Sequence, residues 1–548
     1  MTQDERFHTH EVCNQPDPLG AYNAWTSDAA LAEAVAREGG GWAAHPLTAF
    51  GALVGGEMRA LGEAANRERP QLRAFDAYGR RIDAVEFHPA YHHLMALATA
   101  HGVHSFGWNH APRAGAQVAR AALLYLHTQA DAGTACPLTM TCAAVAALRH
   151  APLVAARWLP KLMAADYDPR PLPAADKRAC TMGMGMTEKQ GGSDVRSNST
   201  RAERLAGDEY RLVGHKWFFS APMSDAHLVL ARDEVGLGCF LVPRILADGS
   251  RNAVRIQALK DKLGDWSNAS SEVEFAGALA ERVGAPGRGV ATILEMVALT
   301  RLDCMTASAG LMRQAVVQAL HHTGQRCAFG RRLVEQPLMQ NVLADLIIES
   351  EAAVALAMRV ARAVDAAPRD DREAAFARIA TAIGKYWVCK RTPPLANEAQ
   401  ECLGGLGYIE TTPMPRLYRQ APLNSIWEGS GNVVCLDVLR AIRRDPACRA
   451  ALFDEFARAR GHDAALDAAL ASLARAVDDD ASLEARSRAV VEEAALALQA
   501  TILLDGGDPM VAEAFCRSRI ARRHALGFGT LAAELPMPAL IARAAVGA

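Results

Sequence analysis

The hydrophobic period of this chain changes twice, near residues 181 and 289, and the two changes divide it. Before the first, segments 31–37 and 116–130 carry apolar residues three and four apart, the spacing of an amphipathic helix. Asp28 is placed to cap the first of them. Pro16 and Pro18 predict an extended lead-in over 14–19, and 74–81 reads as a turn. From 181 to 284 short apolar or alternating runs take over, at 210–213, 216–219, 226–230, 239–243 and 271–275. They are separated by turn residues without helices, which predicts an antiparallel sheet or barrel. Past Gly289 the helical period returns over 290–325, 336–365, 372–400 and a segment after Gly431, a bundle pattern. The tail is a second alanine-rich helical block, broken at 505–509.

At 548 residues the chain is too long for one core. The expected fold is mainly α with a central antiparallel β domain. The expected domains are an N-terminal helical domain over 1–180, a β domain over 181–284, a helical bundle over 285–445 and a C-terminal helical domain over 446–548.

Charge and cysteine usage narrow the function. A formal net charge of -2 exerts no overall pull on nucleic acid or membrane, so any such contact needs a local patch. Twelve cysteines without a C-x-x-C pair fit a reducing interior rather than a disulfide framework. No run is long and apolar enough to span a membrane, and the polar, acidic start is no signal peptide, so a cytoplasmic protein is expected. His88, His92, His93, His101, His104 and His110 gather in one stretch. No cysteine or carboxylate near them has ligand spacing, so they read as helix surface and packing, and no metal site is expected.

One stretch stands out chemically. Residues 185–194 set three glycines, two hydroxyls and two acids in ten positions, a loop whose backbone N–H groups can approach a planar or phosphorylated ligand. A dinucleotide fingerprint starting at Gly183 fails, because its sixth position is Glu188. Phosphate-loop, nucleophile-elbow and zinc-protease motifs do not occur.

The motif Gly185-Met186-Thr187-Glu188-x-x-Gly191-Gly192-Ser193-Asp194-x-x-Ser197 resembles the first signature of the acyl-CoA dehydrogenase flavoproteins. Lys262-Leu263-Gly264 with Val273-Glu274-Phe275, Arg326-x-x-Phe329-Gly330 with Gln340-x-x-Leu343-Ala344-Asp345, Gly404-Gly405-Leu406-Gly407-Tyr408 and Ile426-Trp427-Glu428-Gly429-Ser430 resemble that family's later patterns, in the family's order. Met182 to Val195, Trp217-Phe218-Phe219-Ser220, Ser425 to Asn432, Phe87-His88-Pro89-Ala90 and Asn14-Gln15-Pro16 are similar to one branch of it, the flavoproteins of the bacterial adaptive response to DNA alkylation.

The resemblance implies the acyl-CoA dehydrogenase-like fold plus an extra C-terminal helical domain. It also implies bound FAD, a homotetramer and double-stranded DNA as a partner of that added domain. It sets Met184, Met186 and Thr187 against the flavin ring and Gly192 and Ser193 near the ring or its phosphate chain. Phe218 takes the place of a tryptophan over the ring, with Phe219 beside it, and Ser220 that of a hydroxyl near N5. Arg326 and Phe329, with Gly404 and Gly405 of a neighbouring subunit, correspond to pyrophosphate and adenosine contacts. Ile426, Trp427, Gly429, Ser430 and Asn432 complete the cofactor set, and Glu428 corresponds to the general base. A glutamate beside Trp427 in an apolar pocket is expected to have a raised pKa suited to taking an α-proton.

The chain departs from the family where it has Glu401 before the paired glycines, Glu410 displaced after Tyr408, and Ser430 to Cys435 after the base. The family's alternative base position falls at Thr300, which leaves Glu428 as the candidate.

Two readings follow. One is an FAD-containing, duplex-DNA-binding flavoprotein of the alkylation response, protecting DNA or disarming alkylating agents, with at most weak dehydrogenase activity. The other is a working short- or branched-chain acyl-CoA dehydrogenase. The tail holds 11 arginines against 14 acids, so DNA contact is assigned to Arg517, Arg519, Arg522 and Arg523, sequence-indifferent and salt-sensitive.

Overall fold

The computed structural model describes Phe7 and residues 9–479, 482–521 and 526–546. Helices occupy the first part, with Ala29–Arg37 begun by the Asp28 side chain accepting from the Leu31 N–H at 3.0 Å. A hairpin interrupts them: Gln71–Phe75 pairs with Arg81–Glu86. The expected turn lies between these strands, where the Asp76 carboxylate accepts from the Tyr78 and Arg80 N–H groups. The strands themselves were not legible, because Gln71–Phe75 alternates only between exposed and half-buried residues and Arg81–Glu86 does not alternate.

The β region forms one seven-stranded sheet. Arg201–Ala206, Glu209–Ser220, Ser270–Val283, Leu237–Pro243 and Ala226–Arg232 pair in turn, and Arg201 beside Arg232 brings the ring round on itself. It is not wholly antiparallel. Met182–Gly185 runs parallel to Ala226–Arg232, as does the closing Arg201 pair. Between residues 185 and 226 the chain completes a hairpin and so re-enters in its original direction.

The bundle is built on Gly289–Gln325, Pro337–Ala366 and Asp371–Glu401, with Gly431–Arg444 against the last. The stretch around residue 310 in the first of these is buried on every side, as a helix at the centre of a layered core must be. In the tail, Ser487–Gly506 ends where expected, and the Asp508 carboxylate caps Pro509–Phe515. Tail and bundle share one core cluster: Leu498, Phe515 and Leu540 pack in the same body as Val354 and Ile383.

Candidate functional site

The loop after Met182–Gly185 is held from beneath by a carboxylate. Glu188 is wholly buried and lies 2.8 Å from the equally buried Lys216 ammonium. Its oxygens also accept from the Ser199 N–H at 2.7 Å, the Thr200 N–H at 3.1 Å and the Gln190 amide at 2.8 Å. Burial alone would raise this carboxyl, but Lys216 and the N–H donors outweigh it and hold it well below the usual carboxylate range. The lysine is pushed down to about 8 by burial, against the pull of its partner. Trp217 then bonds back through its N–H to the Thr187 carbonyl at 2.9 Å. The loop is thereby stitched to the Glu209–Ser220 strand.

On that frame Met184, Met186 and Thr187 are half-buried and Ser193 is exposed. Gly192 lies so close to Thr187 that a Cβ would meet its hydroxyl at 2.4 Å, so no larger residue fits without moving the loop. Phe218 is half exposed, and the Lys260 ammonium sits 4.9 Å from its ring and 3.1 Å from the Trp217 ring. Ser220 shares a hydrogen bond with Ser270 at 2.9 Å. Phe219 turns away from that surface. Its side chain alternates to the inner face, is buried, and stacks on His227 at 3.8 Å.

The second part lies before the Gly431–Arg444 helix. Glu428 has a left-handed backbone, φ 59°, and Gly429 follows at φ 102°. A glutamate gains nothing from that conformation, so neighbours must impose it. The Arg301 Nε–H donates to the Glu428 carbonyl at 2.9 Å while Nη1 pairs with Asp437 at 2.7 Å. The buried Lys385 ammonium donates to the Gly429 carbonyl. Trp427 is fixed through its indole N–H to the Asn424 side chain at 2.8 Å, and Asn424 in turn donates to Ser308.

Glu428 is half-buried, and its Oε1 is enclosed and, among the described residues, has no hydrogen-bond partner. Burial pushes its pKa up to about 7, while Arg301, the Thr300 hydroxyl and Lys385 oppose that rise. An acid serving only to stabilise the next helix would turn its oxygens to that helix's free N–H groups. Oε1 does not.

The Ala135–Leu148 helix links the two parts. Thr141 accepts from the Met182 N–H at 3.0 Å, and Cys136 at the helix start has its thiol raised to about 12, chiefly by burial, with the Glu428 charge contributing.

Other expected contacts lie at the surface. Phe329 is 99 % exposed with φ 51°, and Arg326 donates to the Asn14 carbonyl. Gly404 and Gly405 are exposed, and a Cβ on either would meet nothing within 4 Å. Ile426 is 62 % exposed, Ser430 is exposed, and Asn432 accepts from Arg488 of the tail at 2.8 Å. The histidines are engaged in structure: His88 caps Pro89–Ala100, His92 bonds the Tyr167 hydroxyl at 2.9 Å, and His110 stacks on Phe106 at 4.0 Å.

The basic patch in the tail also changes. Arg519 is buried and held by Asp345 at 2.6 Å and Glu349 at 2.9 Å, so it is a core ion pair and not a phosphate ligand. Arg517 pairs with Glu513 and Glu534 at 3.3 and 3.2 Å. The predicted helical face does not continue, because a π-helical turn over Cys516–Ile520 ends the helix. Arg522 and Arg523 lie outside the described residues.

Sequence reasoning missed Lys216, Lys260, Arg301, Lys385 and Asn424. The one available signal was a lysine and an asparagine inside otherwise apolar runs.

The surface suits a flavin nucleotide: a Met-Gly-Met-Gly strand with Met184 half-buried on it and Met186 half-buried just beyond it, a loop that crowds any side chain at 192, and an open glycine pair at 404–405. Comparison with known proteins agrees. The model of the adaptive response protein AidB N-terminal domain matches residues 14–169, and those of the acyl-CoA dehydrogenase middle and C-terminal domains match 183–278 and 287–443. The chain is 46% identical over 519 residues to the putative acyl-CoA dehydrogenase AidB of Escherichia coli (strain K12), covering 94% of this chain and 95% of that one. It is 34% identical over 412 residues to acyl-CoA dehydrogenase family member 11 of Caenorhabditis elegans, covering 72% and 66%. The crystal structure of Caenorhabditis elegans ACDH-11 in complex with C11-CoA superposes with a TM-score of 0.86 at 28% identity, over 97% of both chains. The chain thus belongs to the acyl-CoA dehydrogenase family, in the branch of AidB, and that membership makes FAD its cofactor.

Proposed function

We propose that this protein is an FAD-containing oxidoreductase of acyl-CoA dehydrogenase type, with Glu428 as the base that removes the proton α to a thioester carbonyl. The observation that carries this reading is the enclosed, unpartnered Oε1 of Glu428, whose pKa is pushed up to about 7. A base poised there is half ionised at neutral pH and accepts a proton without a large rearrangement. FAD, when bound, supplies the two-electron acceptor. Met184, Met186 and Thr187 would flank its ring, with Ser220 as the hydroxyl beside it. Arg301 and Lys385 position the base by gripping the carbonyls of residues 428 and 429. The C11-CoA held by the worm protein supports an acyl thioester as the substrate class. Trp427 beside the base favours short or branched acyl groups. Anaerobic addition of isovaleryl-CoA or butyryl-CoA tests this. Rapid bleaching of the flavin band that disappears in Glu428→Gln supports the reading, and equal bleaching in the variant removes Glu428 as the base.

A second reading concerns setting. The 46% identity to AidB supports a role in the response to DNA alkylation, with weak dehydrogenase activity retained. Duplex-DNA contact through the tail would rest on Arg517, Arg522 and Arg523, since Arg519 is committed to the core. A phosphate would have to draw Arg517 from two carboxylates. A gel-shift titration against salt decides it: replacing the three arginines with alanine should weaken binding and flatten the salt slope. A homotetramer is supported by Phe329, Tyr408 and Ile426, large apolar side chains exposed on the single chain. Light scattering of the holoprotein tests that.

A further inference from the structure

Of the twelve cysteines, two are exposed, Cys13 and Cys327. They are 314 positions apart in sequence, yet the fold brings Cys327 against Asn14, the chain neighbour of Cys13. The Asn14 side chain accepts from the Cys327 N–H and donates to the Cys327 carbonyl, each at 2.8 Å. Three residues on, the Asp17 N–H donates to the Gln325 side chain at 2.9 Å, and the Asp17 carbonyl bonds the His321 ring at 2.7 Å. The N-terminal arm therefore runs opposite to residues 325–327, with Asp17 at Gln325, Asn14 at Cys327 and Cys13 one residue beyond. Asn14 is itself held with φ 53°, a turn that swings Cys13 off the line of the arm. Consecutive Cα atoms are about 3.8 Å apart, and a disulfide needs Cα atoms roughly 4.4–6.8 Å apart. A residue adjacent to one that brackets Cys327 on both its N–H and its carbonyl lies within a small backbone adjustment of that range.

We propose that Cys13 and Cys327 form a reversible disulfide that straps the N-terminal arm over the hairpin carrying Arg326 and Phe329. The oxidant is a small-molecule disulfide. One thiolate attacks it and releases a thiol, giving a mixed disulfide; the second thiolate then displaces the remaining half. Two thiols are oxidised to one S–S bond, and the two electrons leave in two molecules of small thiol. An exposed pair of this kind is the labile sort, closed under disulfide stress and opened by reduction. Its consequence rests on the reading of Arg326 as a cofactor contact. The Asn14 carbonyl holds the Arg326 guanidinium, so closing the strap fixes that guanidinium in place and slows release of FAD.

The test uses the FAD-loaded full chain. It is treated with oxidised glutathione, its remaining thiols are blocked, and it is digested. A linked pair of peptides containing Cys13 and Cys327 is expected, reversed by dithiothreitol and absent in Cys13→Ser. Separate glutathione adducts on the two cysteines, or a link between two chains on a non-reducing gel, overturn the proposal. FAD release is then followed by the rise in flavin fluorescence on dilution. Oxidised protein is expected to release it at least threefold more slowly than reduced protein, with Cys13→Ser indifferent to oxidant. A strap that forms while release is unchanged overturns the Arg326 reading and with it the effect on the cofactor, whereas failure of the link overturns the strap itself.

Discussion

The Glu188 carboxylate and the Lys216 ammonium stand 2.8 Å apart with neither side chain exposed to solvent. Removing one partner leaves the other charged in a dry interior, which costs far more than the pair contributes. Glu188→Gln is expected to lower unfolding stability by about 3–5 kcal/mol and to weaken FAD retention, because the same carboxylate gathers the 199–200 N–H groups. Urea unfolding and flavin fluorescence measure the two effects separately. Unchanged stability would mean that the pair is hydrated.

Glu428 makes the opposite prediction. Its carboxyl holds its proton more tightly folded, at about 7, than unfolded, near the ordinary 4.5. Between those values the folded state binds more protons, so this group's contribution to stability falls as pH rises from 4.5 to 7 and stays low above that. Glu428→Gln should therefore be more stable than the parent at pH 8, by about 1–3 kcal/mol, and match it near pH 4.5. Thermal melts of both proteins across that interval give the answer.

The same titration governs turnover. With Glu428 as base, flavin reduction by an acyl-CoA should fall about tenfold per pH unit below 7 and level off above it. A rate flat from pH 5.5 to 8 would assign the proton to another group.

Arg519→Ala should unsettle the fold and not the DNA affinity. The guanidinium serves Asp345 and Glu349, which are both buried, and its loss is expected to cost about 3–5 kcal/mol. Arg517→Ala, at a half-exposed site, should change stability by less than about 1 kcal/mol. Denaturant midpoints of the two variants separate the roles.

Gly183 lies against His227, where a Cβ would meet the imidazole at 2.2 Å. Gly183→Ala should displace the ring and cost about 1–3 kcal/mol, with a shifted flavin absorbance as the second readout.

The large divisions were legible because they depend on local spacing. Residues 290–325 and 226–230 carry their period within a few turns or strand residues, and the elements Gly289–Gln325 and Ala226–Arg232 follow. What depended on distant partners was not. Arg519 has the spacing of a solvated basic face, and nothing near it in sequence announces that Asp345 and Glu349 will lie above it. Phe219 and Phe218 are adjacent and chemically alike, and only the pleat sends one inward and the other out. Glu428 was legible through the resemblance of Ile426 to Ser430 to the family pattern. Its left-handed backbone was not, since that conformation is held by Arg301, 127 positions from Glu428, and by Lys385, 44 positions from Gly429.

The strand that carries Met184 pairs on one side with Ala226–Arg232 and lies at the end of the strand order. A free sheet edge ordinarily recruits a stranger's strand, and proteins guard against that with charges or prolines. This strand is glycine and methionine throughout, with neither charge nor proline, and it is covered instead by the Ala135–Leu148 helix, whose Thr141 hydroxyl takes the Met182 N–H. That helix is therefore the guard of the edge, and Thr141→Val, which bares the Met182 N–H, should clump at concentrations where the parent protein stays clear.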